Sequence, residues 1–253
     1  MEITFLGTGT SCGVPVIGCQ CEVCQSTDTR DKRLRCSILV ETERTRLLVD
    51  CGPDFRQQIL PQPFRRIDGI LVTHAHYDHV GGMDDIRPYC QFGEINVYAD
   101  EEACRGMLQM LPYCFAANRY PGVPAIGLHE IHAGDTMTIG DIDILPVRVM
   151  HGQLPILGFR FGAFAYITDM KTIEPGQAEL LRGVEVLVVN ALRFDRPHHS
   201  HQLVDDAVAF ARSIGVRRTL LTHVCHDIGL HEKANLRLPD DVELAYDGQQ
   251  LMV

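Results

Sequence analysis

Thr73-His74-Ala75-His76-Tyr77-Asp78-His79 follows directly on the mainly apolar stretch of residues 67 to 72 and places three imidazoles and one carboxylate within six residues. Apolar runs of that length are typical of buried β-strands, and polar groups at strand ends lie where loops carry chemistry on a rigid scaffold. A shuffled chain of this composition would contain His-x-His-x-Asp-His only about 0.002 times. We therefore interpret the stretch as a metal site rather than as a solvated polar loop.

Four further apolar or β-branched runs each end in a residue that can bind or orient a metal. These residues are Asp50, His151, Asp169 and His223. Because each run is typical of a buried strand, we expect the five segments to converge on one site.

The number of candidate ligands predicts more than one ion. Six side chains can bind directly, with Asp169 as a bridge: His74, His76, Asp78, His79, His151 and His223. Imidazole and carboxylate ligands without thiolate suit Zn, Fe or Mn, and six are too many for one tetrahedral ion. Two ions roughly 3.5 to 4 Å apart share a water, lower its pKa toward about 7 and favour hydrolysis.

Composition and charge narrow the class of protein. With 253 residues, of which 45% are hydrophobic, residues 1–253 are expected to form a single domain. No targeting segment is apparent, and no apolar run approaches the about 18 residues of a membrane span, so we expect a cytoplasmic protein without a membrane partner. The formal net charge of -10 argues against extended nucleic acid as a partner. Oligomeric state stays open, a homodimer included.

A second cluster is Gly18-Cys19-Gln20-Cys21-Glu22-Val23-Cys24, which places three thiols within six residues. Ten cysteines without a secretory signal indicate reduced thiols or a metal site rather than disulfides. A structural zinc held by Cys19, Cys21 and Cys24 needs a fourth ligand. His226 is our first choice and Cys225 the second.

Strand-like runs in the first half, followed by alternating strands and helices, predict a layered sandwich of sheets covered by helices. The clearest helix is residues 202 to 214, which carry one apolar stripe, end before Gly215 and have Ser200 as a candidate cap.

Asp50, the cluster from His74 to His79, His151, Asp169 and His223 match in order the five motifs of the metallo-beta-lactamase superfamily, which the chain resembles. The resemblance implies an αββα sandwich, in which two mixed β-sheets are flanked by helices, with two metals at one sheet edge. One metal would take His74, His76 and His151, and the other Asp78, His79 and His223, with Asp169 as the bridge. Asp50 would orient ligating imidazoles through a hydrogen bond.

The pairing of Gly-Cys-x-Cys-x-x-Cys with Thr-His-x-x-His is similar to the phosphoribosyl 1,2-cyclic phosphate phosphodiesterases within that superfamily. This implies two Mn or Zn ions beside a structural zinc, and a small phosphate ester attacked by a metal-bridging hydroxide. By the same resemblance His201 would assist the departing oxygen, although the run Pro197-His198-His199-Ser200-His201 leaves His198 and His199 as alternatives. We therefore predict His201, Asp78 and Asp50 as the catalytic residues.

Other functions remain in competition. The same metal pair could hydrolyse a thioester or a lactone, and the run from Gly81 to Pro88 resembles uncharacterised hydrolases of the superfamily, which leaves the exact substrate open. A tRNA 3′-processing nuclease carries a long basic arm, for which residues 152 to 168 leave no room. A non-catalytic metal carrier is the third class.

Overall fold

Two β-sheets face each other in the computed structural model, which describes residues 1–116, 118 and 120–253. Within these residues the first sheet consists of β1 (Glu2–Gly7), β2 (Ser37–Glu41), β3 (Arg46–Val49), β4 (Gly69–Leu71), β5 (Ile95–Ala99), β6 (Ile126–Glu130) and β14 (Gln250–Met252). The second consists of β7 (Met137–Ile139), β8 (Ile142–His151), β9 (Leu154–Phe161), β10 (Phe164–Ile167), β11 (Val186–Asn190), β12 (Arg218–Thr222) and β13 (Val242–Leu244).

Both sheets are mixed. The first has the order β14-β1-β2-β3-β4-β5-β6, antiparallel from β14 to β3 and parallel from β3 to β6. The second has the order β13-β12-β11-β10-β9-β8-β7, parallel from β13 to β10 and antiparallel from β10 to β7. In each sheet, therefore, four strands at one end are antiparallel and four strands at the other end are parallel, with one strand common to both halves.

Helices and 3-10 turns connect the strands. The helices are α1 (Glu22–Gln25), α2 (Phe55–Ile59), α3 (Tyr77–Val80), α4 (Glu101–Met110), α5 (Pro112–Phe115), α6 (Pro175–Glu179), α7 (Val204–Ile214) and α8 (His231–Asn235), with 3-10 turns at Thr29–Asp31, Met83–Phe92 and His226–Ile228. None of the helices in the described residues is both long enough and apolar enough to cross a membrane.

Three apolar layers hold the sandwich together. Side chains of both sheets, such as Phe5, Leu47 and Phe159, fill the space between the sheets and are fully buried. One outer layer packs α4 and its neighbours on the first sheet, and the other packs α7 on the second sheet. Because both of its faces are covered, β10 is buried at every position and has no polar alternation. The predicted αββα sandwich is confirmed.

Helix α7 begins later than the sequence predicts. Its apolar stripe is buried as expected, and Gly215 ends it with a φ of 78°. The cap, however, lies at Leu203, whose backbone N–H donates to the Asp206 carboxylate over 3.1 Å, and the prediction of Ser200 as the cap is wrong. Ser200 is instead buried, and its carbonyl accepts from the His151 ring.

Candidate metal centre

The predicted site residues meet at one edge of the sandwich because each lies at the end of a strand or shortly after it. Asp50 follows β3, Asp169 follows β10 and His223 follows β12. All three have a left-handed backbone, with φ of 61°, 56° and 54°. For residues other than glycine this conformation costs about 1–3 kcal/mol each and persists only where the surroundings fix it, which is typical of functional sites.

The first ligand group contains His74, His76 and His151, whose nitrogen atoms lie within 4.8 Å of one another. His74 Nε2 and His76 Nδ1 are 2.9 Å apart. His151 Nδ1 lies 2.8 Å from the Asp169 carbonyl oxygen, and because a carbonyl only accepts, Nδ1 must carry the proton. The lone pair of His151 is therefore on Nε2.

The second group contains Asp78, His79 and His223. Asp78 Oδ2 lies 3.3 Å from His79 Nε2 and 3.7 Å from His223 Nε2. Asp169 joins the groups, since its Oδ2 is 3.3 Å from His79 Nε2 and its Oδ1 is 3.1 Å from His223 Nε2. The Asp169 carboxylate also lies within 4.8 Å of His74 of the first group.

Asp50 lies beneath the ligands in a hydrogen-bond network that also includes Thr73. Its carboxylate accepts from the Thr73 amide over 2.8 Å and from His79 Nδ1 over 2.7 Å. The Thr73 hydroxyl donates to Asp50 and lies 3.0 Å from His74 Nδ1. These contacts keep a proton on Nδ1 of each ring, so Nε2 is the nitrogen that would bind a metal. Sequence reasoning missed Thr73, although its position directly before His74 was a signal.

The chemistry of these donors fits divalent cations. The buried nitrogens His79 Nε2 and His223 Nε2 find no hydrogen-bond partner among the described residues, and the carboxylates of Asp78 and Asp169 have only histidines as ion-pair partners there. Although burial alone would raise it, the charges of His223 and His79 hold the pKa of Asp169 well below its usual range. Burial, helped by His79, lowers the pKa of His74. Although burial alone would lower it, the carboxylates of Asp50 and Asp169 raise the pKa of His79, so a cation that binds His79 Nε2 would replace a proton there.

The three thiols of the N-terminal loop surround His226. Its Nδ1 lies 3.3 Å from the sulfurs of Cys19 and Cys21 and 3.5 Å from that of Cys24. A tetrahedral zinc with bonds of about 2.3 Å to sulfur and 2.0 Å to nitrogen would hold those atoms about 3.5 Å apart. The structure thus brings His226 into the cluster, whereas Cys225 lies outside it.

His201 contacts both ligand groups. It is buried, its Nδ1 lies 3.7 Å from Asp169 Oδ1, and its ring centre is 4.7 Å from that of His151 and 4.8 Å from that of His223. Burial, followed by the charge of His223, lowers the pKa of His201 to about 3. The ring is therefore neutral and has one N–H to donate.

The two alternative histidines of this loop lie further out. His198 stacks on His201 with ring centres 4.8 Å apart, and His199 is exposed and contacts His198. Of the three, only His201 belongs to a group of candidate ligands, together with His151 and Asp169.

Known proteins share this arrangement. Residues 45–224 match the beta-lactamase superfamily domain. The chain is 38% identical to a solved structure described as a new diphosphatase from the PhnP family, with a TM-score of 0.91 over 99% of this chain and 96% of that chain. It is 41% identical, over 100% of its length, to an octanoyltransferase of Porphyromonas gingivalis, of which it spans only 52%. It is 25% identical to a ribonuclease Z of Bradyrhizobium diazoefficiens, over 88% of this chain and 89% of that protein.

The domain match covers most of the chain, and the two facing sheets with helices on their outer faces are the fold of this family. Relatives named as a diphosphatase and a ribonuclease, together with the clustered histidines and aspartates, support a metal-dependent hydrolase. The chain belongs to the metallo-beta-lactamase superfamily.

Proposed function

We propose that the protein is a dinuclear metal-dependent phosphodiesterase acting on a small cyclic or nucleotide-like phosphate ester, of the phosphoribosyl 1,2-cyclic phosphate type. The observation that carries this proposal is the position of Asp169, whose two oxygens face His79 and His223 while its carboxylate also lies close to His74. A carboxylate shared by two ligand groups suits two ions. The 38% identity to a PhnP-family diphosphatase supports the same class of substrate.

The site residues would have separate roles in binding the ions and in assisting the reaction. His74, His76 and His151 would hold one ion, Asp78, His79 and His223 the other, and Asp169 both. When bound, two such ions activate water and neutralise the attacking and leaving oxygens of a displacement at phosphorus. Asp50 keeps the His79 proton on Nδ1, and His201 offers its N–H to the departing oxygen, where negative charge develops.

We also propose a structural zinc held by Cys19, Cys21, Cys24 and His226, with Mn or Zn in the active site. Residues 1–253 would act as one domain in the cytoplasm, as a monomer or a homodimer. Reduced thiols at the zinc site support that compartment, and the net charge of -10 supports a small substrate over extended nucleic acid.

A second candidate is hydrolysis of a thioester or a lactone. The relative named octanoyltransferase favours it, but the chain corresponds to 52% of that protein, and the name belongs to the relative as a whole. The ribonuclease Z relative favours a nuclease. The short connection between His151 and Asp169 argues against this function, because it leaves no room for the basic arm of a tRNA-processing nuclease.

The test is metal analysis of the purified protein together with assays on ribose 1,2-cyclic phosphate, bis(4-nitrophenyl) phosphate, a pre-tRNA and an octanoyl thioester. We expect cleavage of the two small phosphodiesters. His201→Ala should lower kcat on them by about 100-fold or more with unchanged metal content, because it removes the N–H donor. The exposed His132→Ala is the control. Faster turnover of the thioester or the pre-tRNA than of either small phosphodiester would refute the proposal.

A further inference from the structure

A cavity of about 470 Å³ lies beside His74 and His76, between α4 and the first residues of β9. Leu154 and Pro155 form its β9 wall, and one face of α4 forms the opposite wall. We call this cavity the α4 slot. Its volume lies within the range of small-molecule sites, about 300–1,000 Å³.

Three of the five α4 residues that line the slot are polar, and the other two are Ala103 and Gly106. The polar residues are spaced by three or four positions and therefore share one helix face: Glu102, Arg105 and Gln109. Gly106 brings the helix against the metal centre, since a Cβ added there would lie 2.5 Å from the Cβ of Ala75, the residue between His74 and His76. The polar face thus lies directly beside two candidate ligands.

Not every polar group of the slot is available to a ligand. Arg105 pairs with Glu101 over 2.7 Å, and the Asp100 carboxylate caps α4 by accepting from the Ala103 amide over 2.8 Å. The side chains of Glu102 and Gln109 are exposed and make no hydrogen bond or ion pair with any residue that the structure describes. The open groups are therefore one carboxylate and one amide.

We propose that the α4 slot binds a hydroxylated sugar ring attached to the scissile phosphate, with Glu102 and Gln109 as the residues that select it. This proposal rests on the phosphodiesterase function above. Sugar hydroxyls donate strong hydrogen bonds to a carboxylate, and an amide can donate to and accept from them. The 5-phosphate of a phosphoribosyl substrate would have to lie outside the slot, because inside it a phosphate would face the carboxylates of Asp100 and Glu102. An acyl chain would remove water from the polar atoms of the slot without replacing their hydrogen bonds.

The test measures kcat and KM of the metal-loaded, full-length protein on ribose 1,2-cyclic phosphate, on its 3-deoxy and 5-deoxy analogues, and on bis(4-nitrophenyl) phosphate. Glu102→Ala should raise KM for the ribose compound about fivefold to tenfold, as expected for one hydrogen bond to a charged group, with kcat within about twofold. Glu102→Gln should recover part of the loss. Gln109→Ala should act in the same direction, and the exposed Glu94→Ala is the matched control.

The deoxy analogues identify the contact. In wild type, removal of the hydroxyl that Glu102 binds should lower kcat/KM by the same fivefold to tenfold. In Glu102→Ala, removal of that hydroxyl should lower kcat/KM by less than about twofold, because the hydrogen bond is already absent. Cleavage of the aryl phosphodiester should stay within about twofold of wild type in every variant.

Two results would overturn the slot while leaving the phosphodiesterase intact. The first is that Glu102→Ala and Gln109→Ala behave like Glu94→Ala on every substrate while the aryl diester is still cleaved. The second is that a 5-phosphate on the ribose lowers KM in wild type but not in Arg105→Ala, which would make the slot an anion site. If wild type cleaves no phosphodiester at all, the proposed function itself fails.

Discussion

Asp50 is fully buried and contacts the candidate metal centre through a hydrogen bond with His79. Its carboxylate accepts from both the Thr73 amide and His79 Nδ1, so the His79 lone pair is on Nε2, toward Asp78 and Asp169. The two donors contact different oxygens of Asp50, and an asparagine replaces one of these oxygens with an NH₂ group, which cannot accept. It also tolerates the left-handed backbone at this position, where φ is 61°. Asp50→Asn should therefore fold.

We expect Asp50→Asn to bind metal 10- to 100-fold more weakly, roughly the loss that follows removal of a group that orients a ligating imidazole. Zinc titration against a competing chelator measures the affinity. Asp143→Asn, which changes an exposed carboxylate that accepts from Thr138, is the control and should bind as wild type does. Equal affinities in the two variants would show that Asp50 does not set the His79 proton.

His231 makes stability depend on pH. Burial, then the charge of Arg33, lowers the pKa of His231 to about 4, and Arg30 acts in the same direction against Asp28 and Asp31. The Arg33 guanidinium lies 3.2 Å from His231 Nδ1 and can only donate, so the ring must be neutral. An unfolded histidine has a pKa of about 6.5. Between these two values the unfolded chain binds more protons, and stability falls as the pH falls.

From pH 7.5 to pH 5 the wild type should lose about 2 kcal/mol more unfolding free energy than His231→Gln, which keeps an acceptor for Arg33 but does not titrate. Urea unfolding at the two pH values gives the difference, in which the titration of the metal ligands common to both proteins cancels. His132→Gln, at an exposed histidine, should follow the wild type. A pH dependence of His231→Gln equal to that of wild type would contradict the neutral ring.

Residue type and spacing predicted which imidazoles and carboxylates lie together, because such groups at strand ends have few other uses. They did not predict the role of Thr73, because this role depends on the position of its hydroxyl between Asp50 and His74. Nor could they predict the partners of Arg33, which is buried and donates to Thr8, Ala245 and His231 across more than 200 residues of sequence for the most distant of them. Such contacts exist only once the chain has folded.

Among the helices, α4 lies close to the loop of His74 and His76 because Gly106 has no side chain. A Cβ at Gly106 would lie 2.5 Å from Ala75 Cβ, closer than van der Waals contact allows, so Gly106→Ala must displace α4 or the loop of His74 and His76. We expect a loss of about 1–3 kcal/mol in unfolding free energy by urea titration, with weaker metal binding. Gly176→Ala, in α6 with open space around it, should be neutral or stabilising by up to about 1 kcal/mol. Similar stability in both variants would contradict the contact.

Strand and helix signals predicted most elements but not their partners. The apolar stripe of α7 is visible in the sequence, but the sequence predicts a start at residue 202. The helix begins at Val204 because the Leu203 amide donates to the Asp206 carboxylate, which makes Leu203 the cap in place of Ser200. The pairing of β1 with β14, in which Glu2 lies opposite Met252, joins segments too far apart in sequence for any local pattern to predict. Three-residue strands such as β4 and β13 are defined by their neighbours alone.

The two candidate metal sites, at the active site and at the thiols, are joined by one short segment, and we expect them to bind metal independently. His226 of the thiol cluster is three residues beyond His223 of the active site, and the segment between them is fixed by Val224, which exchanges backbone hydrogen bonds with Thr8 and Thr10 of the N-terminal loop. Those bonds do not pass through the thiols. Loss of the structural ion should therefore loosen the loop that contains Cys21 without releasing the His223 ligand.

We expect three metals per chain in wild type, one fewer in Cys21→Ser and two fewer in Asp169→Ala, as measured by elemental analysis of the purified proteins. Cys21→Ser should also lower the melting temperature by several degrees, because metal binding stabilises the folded state, yet keep aryl phosphodiesterase activity within about threefold. Cys12→Ser, at an exposed thiol outside the cluster, is the matched control for the loss of one cysteine. If Cys21→Ser also empties the active site, the segment from His223 to His226 transmits the loss, and the two centres form one cooperative unit.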